Sequence, residues 1–255
     1  MSKAELRPGD LGPRPGQVPP AVGEDRSLLR LGAVTIVLGL VLQVVMGLLH
    51  PSRADPNDSA AAFAEYARSD AWTAVHIGQF VGTLLIVIGV VALSRHLARQ
   101  AGGAGAAAVV AGLAAVLVGA VFAVQMAVDG VALKGAVDTW VNAAEANRQA
   151  AFFAAEAVRW TEKGLSAFFQ LLNRVAFLMV GLAMVLGRTF PRWLGWVGVI
   201  AGLGALPGSV VVAYTGFSPP AALVLQPAAV LGAVFLVGTA VVMWREGRAM
   251  TTGRV

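Results

Sequence analysis

Residues 171 to 179 read LLNRVAFLM and place an arginine well inside an apolar run from about Leu165 to Gly187. At 1.5 Å of rise per residue such a run crosses a bilayer. A charge at that depth costs at least about 2.5–3.5 kcal/mol, so Arg174 requires a partner, a route to water or a function. Other polar side chains fall at related positions. Gln43 and His50 are separated by two helical turns, His76, Gln79 and Thr83 follow i, i+3, i+7, and Gln125 and Asp129 follow i, i+4. Ser166, Gln170, Asn173 and Arg174 share one helix face, and Gln226 lies just inside the last apolar run. All belong to the same half of their segments.

Four kinds of chemistry fit these residue types. Gln, Asn and His hydrogen-bond between helices and fix register, with Asp129 offering Arg174 a carboxylate for a buried pair. Alternatively, Arg174, Asn173, Gln170, Gln43, Gln79, Gln125, Asp129 and Gln226 line a pocket in which the guanidinium faces a small anionic or lipid-like molecule and the amides orient it. His50, His76 and Asp129 make an open metal set of the kind that activates water for hydrolysis, although no HExxH or comparable spacing supports it. A b-type haem between His50 and His76 is the fourth arrangement. His96, beside Arg95, reads as solvated.

The elements that would position these groups are membrane spans. Hydrophobic residues make up 57% of 255, charged residues only 13%, and the mean hydropathy is +0.73, values too apolar for an ordinary soluble domain. Six apolar segments, at 29–49, 74–94, 106–128, 165–187, 193–214 and 221–244, each approach the 20 residues a span requires, and backbone groups in lipid need internal partners, so they are expected to be helices. The predicted fold is an all-α polytopic transmembrane bundle of six spans occupying 28–246. The proline- and glycine-rich residues 1–27 read as a disordered cytoplasmic tail, and 247–255 as a short C-terminal tail.

Charge sets the expected orientation. One set of connections, including both termini, carries 12 Lys and Arg against five acids, and the other carries six against nine. The positive-inside rule then places both termini in the cytoplasm and the polar cluster outside. The pI of 10.4 follows from this topology and from anionic inner-leaflet lipid, and no nucleic-acid partner is called for. The two long connections lie outside. The first offers Asp58 or Ser59 as the N-cap of a short helix bearing Phe63 and Tyr66. The second is helix-forming, with Phe152, Phe153 and Trp160 available at the interface, and it can continue into the fourth span through Gly164.

Pro207 and Pro227 each remove a helix hydrogen bond in the same half of the membrane as the polar cluster, which favours a cavity there. Gly78 with Gly82, and Gly198 with Gly202, make GxxxG patterns for close helix contact. Cysteine is absent, which excludes disulfides, thiolate metal sites, iron–sulfur clusters and covalent haem attachment. No Walker, Rossmann or nucleophile-elbow pattern occurs. Comparison of spans 1–3 with 4–6 gives no convincing inverted repeat of the transporter kind.

FPRWLGWVGVIAGLG at 190–204, the HP at 50–51 and WTAVHIGQF at 72–80 together resemble a family of small six-span bacterial membrane proteins, common in actinobacteria and known only as a domain of unknown function. The resemblance implies a compact helical bundle in the bacterial cytoplasmic membrane. It carries over no catalytic residue.

Overall fold

The structure, a computed structural model, describes residues 22–249. Six of its helices are long and apolar enough to cross a membrane: α1 (Val22–Leu49), α3 (Trp72–Leu97), α4 (Gly103–Ala127), α6 (Glu145–Leu186), α7 (Arg192–Thr215) and α8 (Pro219–Ala249). The short helices α2 (Ser59–Ala67) and α5 (Lys134–Val141) lie between them, and a π-helical turn, Val128–Leu133, joins α4 to α5. The all-α, six-span reading of the sequence is what the fold displays. Each span matches an expected apolar segment, with helix ends reaching beyond several of them because backbone hydrogen bonding does not stop where hydropathy falls.

Two boundaries differ from expectation. Residues 22–27, read as part of the tail, already belong to α1, while 1–21 lie outside the described residues. At the other end α8 runs on to Ala249, past the expected boundary at 246, and 250–255 lie outside the described residues. Charged residues explain the extension of α1, since Asp25 pairs with Arg99 beyond the end of α3.

The six long helices pack as a ring in the order α1, α3, α4, α6, α7, α8, with α8 closing on α1. Glycine permits the close contacts. A Cβ on Gly39 would sit 2.5 Å from the Gly82 carbonyl, and one on Gly181 would sit 2.6 Å from the Gly195 carbonyl, so α1–α3 and α6–α7 meet backbone to backbone. The main core is apolar and lies toward the ends of the spans near the chain termini, where Leu29, Ile36, Leu93, Leu97, Met184, Leu194, Phe235 and Met243 are buried.

The opposite end carries a cap. Helix α6 has 42 residues, about 60 Å of helix against a hydrocarbon core of about 30 Å, so its first half projects beyond the bundle. Against Ala155 of α6 pack Phe63 and Tyr66 of α2, Trp72 of α3, Leu133 of the π turn and Val137 of α5. Asp58 caps α2, its carboxylate accepting from the Ala61 N–H at 3.1 Å. Phe152 joins this cluster, 5.7 Å from Phe63 and 5.5 Å from Trp140, whereas Phe153 and Trp160 are exposed.

Candidate functional site

Two chambers lie inside the ring and its cap. The mid-bundle chamber, about 390 Å³, is lined by α1, α3, α4, α6 and α8, and its walls are apolar except for Gln43, Thr83, Asn173 and Arg174. The cap chamber, about 500 Å³, is lined by His50, Glu65, Tyr66, Gln79, Gln125, Asp129, Arg159, Glu162 and Ser166 among others. Gln43 and Phe122 border both. Phe122 also packs on Phe169 at 4.5 Å, which makes this level a neck between the two spaces.

Arg174 stands alone in the lower space. It is 7% exposed, and among the described residues its guanidinium makes no hydrogen bond and no ion pair, with Nε fully enclosed. Helix α6 places it one turn beyond Gln170 and beside Asn173, with Phe177 a turn further on, so the charge sits in the middle of an apolar wall. A buried charge with no counter-charge is costly unless something else satisfies it.

The expected Arg174–Asp129 pair is not formed. Asp129 Oδ2 lies 3.1 Å from His76 Nε2, at the level of the cap chamber. The other imidazole nitrogen, Nδ1, lies 2.7 Å from the Trp72 carbonyl, which only accepts, so Nδ1 carries hydrogen. The Nε2–Oδ2 contact is a buried hydrogen bond that joins the ring to the carboxyl group. Asp129 Oδ1 and Gln125 Oε1 are buried on the wall of the same chamber, without hydrogen-bond partners among the described residues.

The π turn is what brings Asp129 here. Its altered hydrogen bonding leaves carbonyls for α3 to use: Trp72 Nε1 donates to the Asp129 carbonyl at 2.9 Å, and Thr73 Oγ1 donates to that of Gly130 at 2.8 Å. A Cβ on Gly130 would sit 2.5 Å from His76 Cβ, so glycine is required for the approach.

Above the pair, Arg159 and Glu162 form a buried ion pair at 2.8 Å. Arg159 Nη2 also donates to Tyr66 Oη at 3.1 Å and to the Pro56 carbonyl at 3.2 Å, and the guanidinium lies over the Tyr66 and Phe217 rings. Burial pushes the Tyr66 phenol up to about 12, so it stays protonated. Burial, aided by His76, holds His50 below its ordinary 6.5. Glu65 is held below the usual carboxylate range by the Ala54 N–H, with the Arg53 N–H adding to it.

The remaining expected residues divide. Gln43 Nε2 donates to the Gln79 carbonyl at 2.8 Å and to Thr83 Oγ1 at 2.6 Å, and so ties α1 to α3 while lining both chambers. Gln170 donates to Ser166 Oγ at 3.2 Å along its own helix and lines neither space. Gln226 also lines neither and is exposed. The face it occupies is shared by Ala229 and Ala233, at i+3 and i+7, and these two residues do line the mid-bundle chamber.

The metal arrangement is corrected by the geometry. Among the described residues no group of three His, Cys, Asp or Glu is placed to hold a metal ion. Both nitrogens of His76 are engaged, and the His50 and His76 rings lie against one another with centroids 5.2 Å apart. The same contacts leave His76 no free nitrogen for a haem iron.

Arg159 and Glu162 are missing from the expected site because the stretch before Gly164 reads as a connection, and Tyr66 because it reads as part of a short surface helix in the first connection. The usable signal was an Arg–Glu pair at i, i+3 in a helix-forming stretch continuous with a span. Searches against protein-family models, curated proteins and solved structures give no match to this chain.

Proposed function

We propose that this multi-pass membrane protein binds a lipid-like anion, with the anionic group against Arg174 and the apolar remainder in the mid-bundle chamber. One observation carries the reading: a buried guanidinium with no partner among the described residues lines a chamber of about 390 Å³ whose other walls are almost wholly apolar. That volume falls within the range of small-molecule sites, and an unpaired intramembrane charge is by default a functional feature. Asn173 adds an amide at the same level. The charge asymmetry of the connections supports a capped end facing outward and termini facing the cytoplasm. The likeness to the six-span bacterial family supports the bacterial cytoplasmic membrane as its place.

A packing role is favoured for two residues, Gln43 and Gln170, whose amides are already bonded within the bundle. For Arg174 no such bond exists among the described residues. The test is Arg174→Gln, scored by thermal stability in detergent and by mass spectrometry of lipid-like molecules that copurify. Loss of a bound anionic species with stability kept or raised is the expected result. Loss of stability with an unchanged set of copurifying molecules would assign Arg174 to packing.

A further inference from the structure

We propose that the bound anion enters sideways from the bilayer, through a seam between the capward halves of α1 and α8, and that its apolar chain remains in that seam. The ligand class is then a single-chain amphiphile with one anionic group, such as a long-chain carboxylate or phosphate monoester. This rests on the reading of Arg174 as an anion site.

The ring closes differently at its two ends. Toward the termini, α1 and α8 interlock: a Cβ on Gly32 would meet Met243 Cε at 2.6 Å, and Arg30 lies over the Trp244 ring. Toward the cap, each helix turns to its other neighbour. Helix α1 lays Met46 against Gly78 of α3, while α8 lays Leu225 against Gly208 of α7 and Ala221 against Val212 and Ala167. Leu48 on α1 and Leu223 on α8 are 82% and 77% exposed, so neither covers the gap. Ala229 and Ala233 are exposed and at the same time line the chamber. The chamber therefore reaches the outside of the ring at mid-span, where the surroundings are hydrocarbon.

Small residues alone would say only that two helices can approach. Here the space behind them contains the partnerless Arg174 guanidinium, nine-tenths buried. The alternative route, from the cap chamber, passes Gln43 and Phe122, and the Gln43 amide is held by Gln79 and Thr83. A molecule dissolved in the bilayer meets no such constriction. Gln226, exposed on the seam face one turn capward of Ala229, gives a polar contact beside the opening.

The cysteine-free chain makes the seam directly measurable. Val230→Cys, on the exposed seam face and outside the chamber wall, is labelled with bimane in phosphatidylcholine vesicles, and Leu113→Cys on the outer face of α4 serves as the control. The quencher is stearic acid with a nitroxide on its chain, compared with its methyl ester. Saturable quenching by the acid at position 230 is expected, with only linear quenching by the ester and at position 113. Arg174→Gln should raise the half-saturating acid level at least about tenfold, the worth of a charge-assisted hydrogen bond.

Equal, linear quenching by acid and ester at both positions would overturn the seam. Binding of octanoate, read as a thermal shift, separates the two possible failures. If octanoate stabilises the wild type but not Arg174→Gln while stearate shows no saturable contact at the seam, the anion site stands and the lateral route falls. If octanoate has no effect on either protein, the anion site itself falls. An Ala233→Trp variant should lose saturable stearate quenching, and retention of it would also contradict the route.

Discussion

Asp129 and His76 show how little of a site's chemistry is decided by residue type. Both fall on expected polar positions, yet their partners are each other and the Trp72 carbonyl, which leaves Arg174 unpaired. Replacing Asp129 by Leu keeps much of the shape and removes the oxygen that faces His76 Nε2. Loss of that buried bond should lower stability by about 1–3 kcal/mol, measured by thermal or denaturant unfolding in detergent. A neutral result would mean that the pair contributes nothing to the fold. Titration of the cap gives a second expectation. Because burial holds folded His50 below 6.5, the unfolded chain binds the extra proton first, and this contribution is complete above 6.5 and lost as pH falls below it. Between pH 7 and 5.5 stability should therefore drop with a slope of at most about 1.4 kcal/mol per pH unit for this one group, and His50→Gln should flatten that slope. The lowered pKa of Glu65 acts at more acid pH: its contribution is present above the usual 4.5 and disappears as pH falls through the folded value. An unchanged slope in the His50 variant would show that some other group governs the range.

At the scale of elements, the π turn and the long α6 do the positioning. Gly130 lets the π turn approach His76, so Gly130→Ala should push α3 and the turn apart at a cost of about 1–3 kcal/mol, read as a lowered unfolding temperature. A Gly130→Ala protein as stable as the wild type would show that the contact has room to relax. Hydropathy could locate α4 but not the turn that ends it, because one extra residue per turn changes neither apolar content nor periodicity over a window of that size. The same limit explains Arg159 and Glu162. Their helix-forming context was legible, as was continuity through Gly164. Their burial was not, since it depends on α2 and Phe217 arriving from distant parts of the chain. The Asp58 cap, by contrast, was readable because an N-cap is decided within four residues.

Across the whole molecule, span number and position were legible because length and apolarity are properties of each segment alone. Gathering polar residues into one half of the bundle was also legible, through their places along the spans. Which way each one faces around the ring was less so: Gln226 points outward at the seam, and Gln170 bonds back along α6. Those outcomes follow from helix order and rotation, which a single sequence does not encode locally. The ring α1–α3–α4–α6–α7–α8 nonetheless leaves Arg174 without a partner among the described residues, in an apolar chamber, and the account depends on that group attracting an anion. Matched short-chain amphiphiles test this directly. Octanoate, octylamine and octanol share a chain and differ in charge, and any ligand that prefers the folded state raises the unfolding temperature by an amount that grows with the logarithm of its concentration above its Kd. Octanoate alone should raise it in the wild type, and the rise should vanish in Arg174→Gln. Equal shifts from all three compounds, or an octanoate shift that survives the substitution, would contradict the claim.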